Sequence, residues 1–205
     1  MNVSKTVIVT FVVPLLISCS GSSTGSTQND EVGSATITIS GAFDAKKEGM
    51  ATYSTITGNV PGGFQQFHWR LDIEGEEQVE GGDEVFSLSF SSTFMDESID
   101  YPAPGSYEIN ADIIVGNNLT FWSVYEAVVY NSQFQPIETT RYTTLCFDNQ
   151  ESEIGGVFII SSTGTDRVTG SFNVEALYAD KDNSECITGN KVTISGEFTA
   201  TKSEF

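Results

Sequence analysis

The chain has 205 residues, with 28 acidic and 9 basic side chains, a formal net charge of −19 and a single histidine. Such an excess of negative charge repels phosphate backbones and anionic headgroups, which argues against a nucleic-acid partner and against docking on anionic lipid through a basic patch. One histidine and three cysteines are too few for the usual zinc sites, and no G-x-S-x-G elbow is present to support a serine hydrolase.

The chain opens with Lys5 in a short polar start, an apolar run from Thr6 to Ile17 that contains Pro14, and then Ser18 and Cys19. This order is that of a secretory signal peptide, and the run is too short for a transmembrane helix, which needs roughly 20 residues. The four residues Leu16, Ile17, Ser18 and Cys19 resemble the lipobox of bacterial lipoproteins. The resemblance implies cleavage before Cys19 and acylation of that residue, so residues 1–18 are expected to be lost. Ser20, rather than Asp, resembles the sorting state for the outer membrane of a diderm cell. Loss of residues 1–18 removes only Lys5 among the charged residues, leaving a mature chain of about −20. From Ser20 to Asp30 no apolar residue occurs, so residues 19–34 are expected to form a flexible tether that holds the remainder roughly 20 Å from the bilayer.

Residues 35–205 are long enough for one domain with a substantial core. No stretch carries a helical period. Short alternating runs separated by Gly, Pro, Asn, Asp and Ser recur instead, which predicts an all-β domain. In chain order the expected strands are 35–43, 52–58, 64–74, 84–92, 106–115, 119–131, 138–146, 155–162, 167–178 and 191–201. About ten strands of this kind suit an antiparallel β-sandwich or a closed β-barrel.

Alternation assigns faces within these runs. Phe67, Trp69, Leu71 and Ile73 share one face, and His68, Arg70 and Asp72 the other; Phe86, Leu88 and Phe90 oppose Ser87, Ser89 and Ser91. In 106–115 the stripe is Tyr107, Ile109, Ala111, Ile113 and Val115. Segment 119–131 is apolar on both sides, with Leu119, Phe121, Tyr125, Ala127 and Val129 facing one way and Trp122, Val124, Val128 and Tyr130 the other. It is either a central strand covered on both faces or one that displays aromatic rings.

A repeat links the two ends of the domain. Residues Ile37 to Gly41, followed by Phe43, match Val192 to Gly196, followed by Phe198; Val168, Gly170 and Phe172 form a shorter echo. A glycine inside a strand leaves a hole that a cross-strand aromatic can cover, and the placement of the repeats predicts that the first and last strands lie near each other. These segments, together with Gly49-x-Ala51-x-Tyr53 and Pro104-Gly105-x-Tyr107, resemble uncharacterised bacterial lipoproteins of all-β build. The resemblance implies a β-sandwich-like domain behind a Ser/Gly tether, and it carries no activity. The spacing between Val192 and Gly196 is one residue shorter than in that pattern.

With Cys19 assigned to lipid, Cys146 and Cys186 remain, and two thiols in an oxidising exported compartment are expected to pair. The bond would close a loop of 41 residues and stabilise the fold by about 4 kcal/mol in the chain-entropy model. A metal or redox pair is the competing reading.

Few residues suggest chemistry. His68 is expected on a polar face between charged neighbours. Two acidic loops have the oxygen ligands calcium requires: Asp96, Glu97 and Asp100, and Asp180, Asp182, Asn183 and Glu185; the second lacks the sixth-position glycine of an EF loop. Trp122, Tyr125 and Tyr130 are candidates for stacking on a sugar or a partner. With 28 acids, some carboxylate pair will always meet the spacing for glycoside hydrolysis, so that pattern discriminates little. The expectation is therefore a membrane-tethered, non-enzymatic binding or structural domain without a cofactor, partnered by an envelope protein or glycan. The alternatives are a small-ligand carrier for lipid or carbohydrate with a barrel interior, and a carboxylate-based hydrolase.

Overall fold

The computed structural model describes residues 32–60, 64–94, 103–110, 119–146, 154–180 and 185–203. They form ten strands and no helix: β1 Ser34–Gly41, β2 Ala45–Val60, β3 Phe64–Val79, β4 Gly82–Phe94, β5 Gly105–Ile109, β6 Thr120–Tyr130, β7 Pro136–Thr143, β8 Gly155–Thr163, β9 Arg167–Ala179 and β10 Cys186–Lys202. All ten belong to one sheet.

The sheet's hydrogen bonds run in a ring, and the route differs between its two ends. At one end the circuit is β10–β2–β3–β4–β6–β5–β8–β9 and back to β10. At the other, β1 lies between β10 and β2, and β7 joins β6 to β9 in place of β5 and β8. Two contacts in the first circuit, β10–β2 and β5–β6, are parallel, against the expectation of antiparallel pairing throughout. Both are short, two residue pairs each, and occur where a strand meets its neighbour only at its end.

Side-chain alternation places the core inside this ring. In β1, Ala35, Ile37 and Ile39 are buried while Ser34, Thr36, Thr38 and Ser40 are exposed. In β3 and β4 the stripes led by Trp69 and Phe90 are fully buried, as alternation predicts. First and last strands do lie together: β1 pairs with β10 over its whole length, from Ser34 with Thr199 to Gly41 with Val192.

The repeated glycines have a packing role. Across β9 and β10, Gly196 stands opposite Phe172 and Gly170 opposite Phe198, a reciprocal pair. A Cβ on Gly196 would lie 2.7 Å from the Phe172 ring and 2.0 Å from the Thr36 carbonyl oxygen; one on Gly170 would lie 2.7 Å from the Phe198 ring. Each ring therefore covers the bare backbone opposite it. Gly75 and Phe86 repeat the arrangement across β3 and β4. The tyrosine of the Pro104-Gly105-x-Tyr107 turn also acts locally, its hydroxyl donating to the Ala103 carbonyl.

Several strands exceed the expected limits. β2 begins at Ala45 and β3 continues to Val79, because inward positions there hold Lys47, Gly49 and Glu77, which break the apolar alternation. β10 begins at Cys186, with an irregular register between Ile187 and Lys191. β5 ends at Ile109, and Ala111, Ile113 and Val115 lie outside the described residues.

Cys146 and Cys186 form a disulfide, with Cα atoms 5.6 Å apart. It ties the chain just after β7 to the first residue of β10, reinforcing the end of the ring where β7 meets β9. Trp69, Phe90, Phe121 and Phe158 pack together in the core, all at 0% exposure.

Candidate functional site

Residues with chemistry gather in two places, one inside the ring and one on its outer face. Inside, β2, β3 and β4 bring Lys47, Glu77 and Glu84 together. The Lys47 ammonium donates to a carboxylate oxygen of each acid and lies 5.2 Å from the centre of the Phe86 ring. Lys47 is only 4% exposed. Burial alone would lower its pKa, but hydrogen bonds to Glu77 and Glu84, and their charges, raise it above the ordinary value, so it stays protonated. Beside this triad stands Tyr125, whose phenol is pushed up by burial and then by Glu84, Glu77 and Tyr142. Phe43, Tyr142 and Tyr178 complete the cluster, and the Tyr142 hydroxyl donates to Asn190 Oδ1 at 3.0 Å. The three charges are matched to one another and the Tyr142 hydroxyl has its own acceptor, so the cluster reads as an ionic plug.

The outer face of β3, β4 and β6 carries His68, Arg70 and Asp72, Ser87, Ser89 and Ser91 of β4, and Trp122, Val124, Glu126, Val128 and Tyr130. At one end His68 Nδ1 is 3.2 Å from Thr93 Oγ1, and its ring centre is 5.6 Å from that of Trp122. Burial lowers the His68 pKa, the Arg70 charge lowers it further, and Asp72 opposes both. Arg70 holds Asp72 through two nitrogens, each 2.7 Å from the same carboxylate oxygen, Oδ1. That carboxylate is thereby committed to the guanidinium, and the imidazole–hydroxyl contact lacks the orienting acid a nucleophilic triad uses. At the other end, Tyr130, Val85 and Val128 line a groove of about 480 Å³ with Glu74, Glu76 and Glu126 at its sides. A larger outer groove of about 910 Å³ crosses β1, β10 and β9 and is lined mainly by hydroxyls, among them Thr36, Thr169, Ser171 and Thr199.

Of the three candidate aromatics, β6 therefore separates one from two. Tyr125 faces inward at 1% exposure and belongs to the core, whereas Trp122 and Tyr130 are half-buried on the outer face. Strand periodicity alone requires this, since 122 and 130 share a parity that 125 lacks. The inward face of β6 packs against other side chains, with Phe121 touching the rings of Trp69, Tyr107 and Phe158. In the second acidic loop, the Asp180 amide donates to the Glu185 carbonyl at 3.3 Å, while Asp182 and Asn183 lie outside the described residues. Asp96, Glu97, Asp100 and Cys19 lie outside them as well. Among the described residues no three acidic, histidine or cysteine side chains are grouped as metal ligands. The feature that sequence reasoning missed is the Lys47 triad. Its only signal is a lysine at an inward parity in β2, and that becomes legible once the strand is known to begin at Ala45.

Comparison with protein-family models, with curated proteins and with solved structures finds no match to this chain.

Proposed function

We propose that the chain is an exported, lipid-anchored cell-envelope protein whose β-domain works by binding at its outer surface rather than by catalysis. The observation that carries this reading is the Cys146–Cys186 disulfide, because such bonds form and persist in oxidising, exported compartments. It agrees with the signal-like start and with a cysteine placed to accept lipid at position 19. In a diderm cell Ser20 favours the outer membrane as the destination.

The packed interior supports binding on the outside over carriage of a ligand within. Trp122 and Tyr130 offer two half-buried rings on one outer face, with serines and carboxylates between them, a combination suited to an envelope glycan or protein. The experiment is intact-mass analysis of the full chain recovered from membranes of an expressing diderm host. The expected species begins at Cys19, carries acyl chains there and holds no free thiol. An unmodified amino terminus in the cytosolic fraction would overturn the reading.

A further inference from the structure

The hairpin joining β6 to β7 carries the most exposed large apolar side chain described. Phe134 is 84% exposed, Ile137 three residues on is 56% exposed, and Val85 on the neighbouring strand β4 is 44% exposed. The tip adjoins the β3–β4 turn, since a Cβ on Gly81 would lie 3.7 Å from Ile137 Cδ1.

This tip is built to hold the ring out. Phe134 has φ +56°, the one non-glycine residue with positive φ among those described, in a region unfavourable for a bulky side chain. Asn131 fixes it there. Its Oδ1 accepts from the Gln133 and Gln135 amides at 2.9 and 3.0 Å, its carbonyl accepts from the Phe134 amide at 2.9 Å, and its own amide donates to the Gln135 carbonyl at 3.0 Å. From Asn131 to Ile137 no residue is charged, in a chain of net charge −19.

We propose that this tip is a bilayer contact, in which Phe134 and Ile137 enter the headgroup–acyl boundary of the membrane that carries the chain's anchor. The proposal rests on the lipid-anchored reading above. A protruding ring needs no complementary pocket in a fluid interface, whereas a protein partner would have to supply one. Twelve residues lie between Cys19 and Val32, a tether whose fully extended length is at most about 45 Å. An acyl anchor raises the local concentration of that surface, so a small apolar contact is enough to orient the domain. Glu138 follows the tip in sequence, Asp83 pairs with Tyr130 at its base and Glu80 lies in the adjoining β3–β4 turn, so the contact favours zwitterionic lipid and weakens as anionic lipid increases.

The test uses the full mature chain, acylated at Cys19, on phosphatidylcholine vesicles. Phe134→Trp adds a reporter, and subtracting the wild-type signal removes Trp69 and Trp122. The expected result is blue-shifted emission, quenched at least about threefold by brominated lipid, with the quenching falling when about half the lipid is anionic. In a second measurement, Phe134→Ser leaves the chain on the vesicles but exposes the domain's inserted face to soluble quenchers, read from a tryptophan introduced by Ile137→Trp. If Cys19 carries lipid and the introduced tryptophan at 134 stays unquenched, the bilayer contact is wrong and the anchor stands. If the blue shift occurs without vesicles, a second copy covers the tip and the proposal is likewise wrong. If Cys19 carries no lipid, the anchored reading fails first, and the contact proposal fails with it.

Discussion

The two ends of the interior are held together by different physics. In one, Phe158 lies within 4.6 to 5.9 Å of the ring centres of Phe121, Phe90, Phe198 and Trp69, so the contacts are apolar and non-directional. In the other, Lys47, Glu77, Glu84, Tyr125 and Tyr142 occupy inward positions that in most small β-domains would be apolar. The first cluster gains from area removed from water and close ring packing. The second gains little from burial and is tolerable only because its charges and its Tyr142 hydroxyl are matched. A polar plug of this kind cannot be weakened gradually, since removing one member strands the others.

Truncating the hub of the apolar end should have the largest effect. Phe158→Ala is expected to cost about 3–5 kcal/mol, read as a lower denaturation midpoint with little change in slope. At the polar end, Lys47→Ala should cost about 3 kcal/mol, the lower part of the range for breaking a buried pair, because Glu77 is 38% exposed and can recover solvent. A loss below about 1 kcal/mol would show that the triad behaves as a surface pair.

The ends should also part company in alkali. Lys47 has a folded pKa above 10.5 and Tyr125 one above 10.0, so between the unfolded and folded values the unfolded chain binds fewer protons than the folded one. Stability is then fully present below about pH 10 and is lost as pH rises through the folded values. Denaturation midpoints measured from pH 8 upward should fall in the wild type, and fall less in Lys47→Met relative to its own value at pH 8. An identical slope in the two would remove the triad as the source. Smallest is Tyr142→Phe, which deletes the bond to Asn190 and should cost about 1 kcal/mol in the same denaturation assay.

Much of this architecture could be read from residue order, and the exceptions are instructive. The stripes of β3, β4 and β6 were legible because one face is buried and a period of two admits a single inward set. Phe172 and Phe198 opposite Gly196 and Gly170 were legible as a motif whose role needs only the strand pairing. By contrast, β2 looked seven residues shorter than it is at its start, because Lys47 and Gly49 sit where an apolar residue was expected. The separation of Trp122 and Tyr130 from Tyr125 was legible too, since alternation along β6 puts them on opposite faces. Phe134 was not legible, since nothing in its neighbours marks a left-handed residue held by an asparagine three positions earlier.

Sequence by itself determined the all-β class, the number of strands, the inward stripes, the pairing of Cys146 with Cys186 and the meeting of first and last strands. These follow from periodicity, turn chemistry and cysteine count, which act over a few residues or are topologically forced. Only the tertiary structure decided that β1 and β7 close one end of the ring while β5 and β8 close the other. It alone brought Lys47 to Glu77 and Glu84, 30 and 37 residues away. A charge is turned inward when partners from other strands meet it there, and no local pattern records which strands those will be.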